Sequence, residues 1–104
     1  MVQEYGLFIG GKWKKSEGKR FETINPATGE VLATFPSATK EELGDAVRAA
    51  KGAFERWRKT PAPRRGEILL EAARIFRRKK EELGRIVTTE MGKVIAEGRG
   101  DVQE

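Results

Sequence analysis

Apolar and polar positions alternate most regularly over residues 39–57, TKEELGDAVRAAKGAFERW. Leu43, Ala46, Val47, Ala50, Ala53, Phe54 and Trp57 recur at steps of three and four. That spacing places them on one stripe of an α-helix, with Lys40, Glu41, Asp45, Arg48, Lys51, Glu55 and Arg58 on its other sides. Thr39 can accept a backbone hydrogen bond as N-cap, and Glu42, three residues on, can reach back to complete a capping box. Pro61 and Pro63 cannot donate to a helix ladder and close the tract. The pattern predicts a helix over 39–58, with Phe54 and Trp57 in a core rather than on a stacking surface.

The same period continues downstream. Leu69, Ala72, Ala73 and Phe76 mark a helix over 63–79, with Pro63 in its first turn. Leu83, Ile86 and Val87 mark another over 80–91, and Gly92 suits the residue just past its end. The charged run 78–82 breaks the stripe between them, and Gly66 and Gly84 each cost about 1 kcal/mol relative to alanine. Residues 94–104 read as the start of a further helix.

Upstream the pattern changes to that of strands. Residues 7–14, LFIGGKWK, carry β-type bulk, with Gly10-Gly11 as a bulge or a close backbone approach. Lys15-Ser16-Glu17-Gly18 signals a turn, and 19–24 runs back, which predicts a β-hairpin over 7–24. Asn25-Pro26-Ala27-Thr28-Gly29 has turn chemistry at each position. A short strand over 30–35 follows. By pattern alone this is an α-rich chain with an N-terminal β-hairpin, about three strands followed by three helices.

Composition narrows the chemistry. At 104 residues the chain is one domain or a piece of one, able to bury roughly 60–68% of its unfolded surface in a modest core. Charged residues make up 36%, with both signs interspersed, as thermophile proteins and many solvated helices have. The net charge of +5 does not point to nucleic acid, because acidic residues accompany the basic ones and no aromatics punctuate a basic groove. There is no cysteine and no histidine. That excludes, within this chain, a disulfide, a Cys/His zinc site and a Cys or His nucleophile or base. No apolar run approaches the ~20 residues of a membrane span. The first residues lack a signal-peptide pattern, so the protein reads as cytoplasmic.

Catalytic constellations are missing as well. Gly10-Gly11-Lys12 sits in a strand pattern rather than between a strand and a helix, so it is no phosphate loop. Glu41-Glu42 and Glu81-Glu82 lie at helix starts, where carboxylates favour the helix dipole. Lys93 at a helix end is an ordinary stabilising choice. No catalytic and no cofactor-binding residue is assigned.

Several short motifs occur in a fixed order. Ile9-Gly10-Gly11-Lys12-Trp13 comes first, then residues 25–33, NPATGEVLA. Ala46-Val47, Ala49-Ala50, Ala53-Phe54 and Trp57 follow, then Pro61, Arg65 and Leu69, and last Glu90-Met91-Gly92-Lys93. This succession resembles the N-terminal portion of the NAD(P)-dependent aldehyde dehydrogenase superfamily over residues 7–101. The resemblance implies an α/β parent fold with a Rossmann-like cofactor domain, of which this stretch would form the periphery. It implies NAD or NADP in a full-length parent and none for this chain alone, because the family's catalytic cysteine, glutamate base and glycine motif lie downstream of the matched stretch. It also implies a monovalent cation in some members, which by motif position would be held by carbonyls of Thr23 and Ile24 and by Asp101. An exposed helix charge is the equal alternative for Asp101. Val94 departs from the family, which usually has proline there.

Two functions follow as expectations. One is an N-terminal fragment of an enzyme that oxidises an aldehyde to a carboxylic acid, inactive by itself for lack of a catalytic cysteine. The other is a non-enzymatic, self-associating helical module derived from that family. The expected partner is the remainder of a dehydrogenase chain or a second copy, giving a homo-oligomer, with neither nucleic acid nor membrane.

Overall fold

Gly10 and Gly11 form a turn, not a bulge. Both have positive φ, 61° and 79°, as the two central residues of a type I′ hairpin turn require. They join strands β2 (Leu7–Ile9) and β3 (Lys12–Lys14), which pair antiparallel with Leu7 opposite Lys14, Phe8 opposite Trp13 and Ile9 opposite Lys12. The Phe8 and Trp13 rings lie 5.2 Å apart across the ladder. This computed structural model describes residues 2–104.

The expected hairpin over 7–24 is therefore corrected. Its first half folds back on itself, and its second half, β4 (Arg20–Ile24), lies beside β5 (Val31–Pro36) instead. The backbone bonds Ser37 N–H to Lys19 O and Asn25 N–H to Glu30 O bracket β4 and β5 as an antiparallel pair. The 25–29 turn connects them. Asn25 Oδ1 accepts from Ala27 N–H at 2.9 Å, and Gly29 takes φ 78°. A further strand, β1 (Gln3–Glu4), adds parallel to the other edge of β5. The described residues thus hold five strands rather than three. Their first sheet runs β1-β5-β4.

Four helices follow: α1 (Lys40–Trp57), α2 (Ala62–Arg78), α3 (Lys80–Met91) and α4 (Ile95–Gln103). The tract at 94–104 thus becomes a fourth helix of its own. Thr39 caps α1, and its hydroxyl and the Glu42 side chain form a reciprocal capping box. Lys79, at φ −97° and ψ 13°, separates α2 from α3. Gly92, at φ 78°, ends α3 by donating to Thr88 O, as a left-handed C-terminal residue does.

The chain divides into two compact units. One comprises the residues up to Thr23 together with Val31–Thr60, the other Ile24–Glu30 with Pro61–Glu104. In the first unit Phe35 lies between two rings, 5.0 Å from Tyr5 and 5.8 Å from Phe21. Arg20 ties the same strands, donating from Nη2 to the carbonyls of Tyr5 and Thr34, both at 2.8 Å. In the second unit α3 packs chiefly on α4. Gly84 and Gly98 are the buried residues of those two helices.

The core expectation fails. Ala33 is the one buried hydrophobic residue among those described, and Phe54 and Trp57 are 56% and 41% exposed. The α1 stripe exists, but its large residues Leu43, Val47, Phe54 and Trp57 are left exposed among the described residues.

Candidate functional site

Two of the sequence motifs meet in the second unit. Gly92, from the Glu-Met-Gly-Lys step, stands against Pro26 of the 25–29 turn; a Cβ at Gly92 would lie 3.0 Å from Pro26 Cγ. Glycine is needed there twice over, for its positive φ and for the space.

Lys93, the next residue, reaches along α4. Its Nζ donates to Asp101 Oδ2 at 2.7 Å. The Asp101 carboxylate beside it holds the Lys93 ammonium above its usual range, chiefly through this hydrogen bond. Lys93 is thus not a helix-end lysine idling against carbonyls, and the pairing was not legible in the sequence. A second ion pair bridges α3 and α4. Arg99 Nε and Nη2 donate to Glu81 Oε1 and Oε2 at 2.8 and 3.0 Å, a bidentate fork. Arg99 holds the Glu81 carboxyl below the usual carboxylate range, mainly by that hydrogen bond. The two helices nearly touch at Gly84 and Gly98. Thr88 Oγ1 is enclosed there without a hydrogen-bond partner.

Thr23 and Ile24, two of the three residues assigned to a cation, close β4. The third, Asp101, lies exposed on α4 and is paired with Lys93. No group of three or more acidic side chains able to hold a metal occurs among the described residues. With no cysteine in the sequence, none of these residues offers a thiolate for a covalent intermediate. No helix among the described residues is long and apolar enough to cross a membrane.

The sequence model of the aldehyde dehydrogenase family matches residues 13–104. The chain belongs to the aldehyde dehydrogenase family. It is 50% identical over 103 residues to malonate-semialdehyde dehydrogenase 2 of Geobacillus kaustophilus, a match that covers 98% of this chain and 21% of that protein. Among solved structures it superposes on an NAD-dependent aldehyde dehydrogenase from Sinorhizobium meliloti with a TM-score of 0.90 and 29% identity, over 99% of this chain and 21% of that one. It superposes equally well on an NADP-dependent glyceraldehyde-3-phosphate dehydrogenase from Bacillus halodurans complexed with NADP, with a TM-score of 0.91 and 29% identity, over 95% of this chain and 21% of that one. The chain spans about a fifth of the length of the relatives it matches. The α/β, Rossmann-like parent fold expected from the motifs is the fold of these neighbours, and this family's stretch is the α-rich portion described above.

Proposed function

We propose that this chain is the N-terminal part of an enzyme that oxidises an aldehyde to a carboxylic acid with NAD or NADP, and that its role is to frame the cofactor domain. The observation that carries the reading is the family match over residues 13–104, joined to a superposition of TM-score 0.90–0.91 on enzymes described with NAD and NADP. The relative at 50% identity is named for malonate semialdehyde, which favours a short aldehyde bearing a carboxylate as substrate of the parent. By itself the chain is inactive, since a thiolate nucleophile must come from elsewhere. The parent works in the cytoplasm. Incubating the purified chain with malonate semialdehyde and either NAD or NADP tests this: no reduced cofactor is expected, and formation at an enzyme-like rate sinks the reading.

A second reading is favoured by the exposed apolar residues. Leu69, Leu70 and Phe76 of α2 are each more than half exposed. The partner that covers them is the remainder of a dehydrogenase chain, and a second copy when that remainder is absent. A monovalent cation on the carbonyls of Thr23 and Ile24 and on Asp101 enters the proposal only with Lys93 turned away. Potassium and sodium titrations followed by NMR, with Asp101→Asn as control, test that point.

A further inference from the structure

The Glu42 carboxylate binds more than its own helix cap. Its Oε2 accepts from Thr39 N–H at 2.8 Å, the capping-box bond, and also from Ser16 Oγ at 2.7 Å. Its Oε1 accepts from Glu17 N–H at 3.1 Å. Ser16 Oγ in turn accepts from Gly18 N–H at 3.0 Å, and Gly18 packs so closely on Ser37 that any Cβ there would overlap the Ser37 carbonyl. One side chain near the start of α1 therefore anchors the segment that leaves β3.

The β2–β3 hairpin immediately precedes that segment. Its Gly10 turn rests on α1; a Cβ on Gly10 would lie 3.8 Å from Ala49 Cβ. The groove between them is lined by Phe8, Ile9, Ala46, Ala49 and Ala53. On the helix side these are alanine methyls, with Arg56 at one end; alanine methyls offer little apolar area to bury, and a two-stranded hairpin is marginal alone. Packing at the turn is the weak attachment; Glu42 supplies the directed one.

We propose that Glu42 is the pin that fixes the β2–β3 hairpin on the alanine face of α1, and that disabling it undocks the hairpin while α1 and the β4–β5 pair persist. The pin works through hydrogen bonds. The elements that carry its partners hold the charged residues Lys12, Lys14, Lys15, Glu17 and Lys19 in β3 and the following segment, and Lys40, Glu41 and Asp45 in α1. None forms an ion pair with Glu42 among the described residues. The Thr39 N–H first, and then the Ser16 hydroxyl, hold the Glu42 carboxyl below the usual carboxylate range, so the pin is closed at neutral pH and opens in acid.

The test is NMR on the 104-residue chain and two variants. Glu42→Gln keeps an acceptor for the Thr39 cap but turns an amide N–H2 toward Glu17 N–H. In the unaltered chain a cross-peak between Gly10 Hα and the Ala49 methyl is expected, and the Glu17 and Thr39 amide shifts should titrate together with one midpoint below 4.5. In Glu42→Gln the cross-peak should vanish and Glu17 amide exchange should rise about tenfold, with the Val47 and Ala50 amides changing less than about twofold. A cross-peak of full intensity in that variant, or none in the unaltered chain, overturns the proposal. If Glu42→Gln also frays α1, Ser16→Ala decides. A weakened cross-peak with α1 intact supports the pin, and an unchanged one overturns it.

Discussion

Gly98 of α4 lies against Gly84 of α3 so closely that a Cβ on Gly98 would sit 2.5 Å from the Gly84 carbonyl oxygen and 2.7 Å from Thr88 Oγ1. Two glycines thus set how near these helices come, and the Glu81–Arg99 pair ties α3 to α4 beside that approach. Gly98→Ala must push the helices apart. Overpacking of this kind costs about 1–3 kcal/mol. Urea unfolding followed by helical circular dichroism should show that loss, whereas Gly100→Ala, which meets open space, should be neutral or slightly stabilising.

At Gly92 the cost has two sources that can be separated. Positive φ penalises any side chain by about 1 kcal/mol or more, and Pro26 Cγ crowds the new Cβ at 3.0 Å. Gly92→Ala should therefore destabilise the chain by about 1–2 kcal/mol. Adding Pro26→Ala removes the crowding atom but not the backbone strain, so the two changes should be less than additive in a double-mutant cycle. Strict additivity would show that the Pro26 contact carries no energy.

The Lys93–Asp101 pair gives a pH dependence with a definite sign. Lys93 is raised in the folded chain above its ordinary value of 10.5. Its contribution is thus fully present below that value and is lost as pH rises through the higher folded value. Asp101→Asn should bring the Lys93 side-chain titration back toward 10.5 and flatten the loss of stability on the alkaline side. Carbon-13 shifts of the Lys93 Cε report it directly.

Much of the helical part was legible in the sequence. Thr39 and Glu42 announce α1 because caps are local chemistry, read three residues apart. Lys79 falls inside the charged run that broke the apolar period, and Gly92 takes the conformation its type suggests. The strands were harder. Gly10-Gly11 read as a bulge or a close backbone approach, and only the pairing of Phe8 with Trp13 makes it a turn. Gln3–Glu4 carries no apolar alternation at all, so its parallel pairing to β5 left no mark in the pattern. The same holds for the ion pairs. Glu81 and Arg99 are 18 positions apart and meet only because two glycines let α3 and α4 close. Phe54 and Trp57 were expected in a core, but periodicity reports which side of a helix is apolar and not what covers it.

That uncovered surface predicts behaviour in solution. Leu69 is 66% exposed and Phe76 53%, and exposed apolar residues grouped on one helix drive association. Sedimentation velocity on the chain alone should show dimers or larger species that dissociate in Leu69→Lys/Phe76→Lys. A monomer at high concentration would count against self-association.

The most direct test of the central claim is a chimera. The aligned first fifth of the Geobacillus kaustophilus malonate-semialdehyde dehydrogenase 2 is replaced by this chain, and reduction of NAD with malonate semialdehyde is followed. If this chain is the N-terminal frame of such an enzyme, the chimera should turn over within about tenfold of the parent, a loss of no more than about 1.4 kcal/mol in the barrier. A soluble, folded chimera with no cofactor reduction would contradict the account.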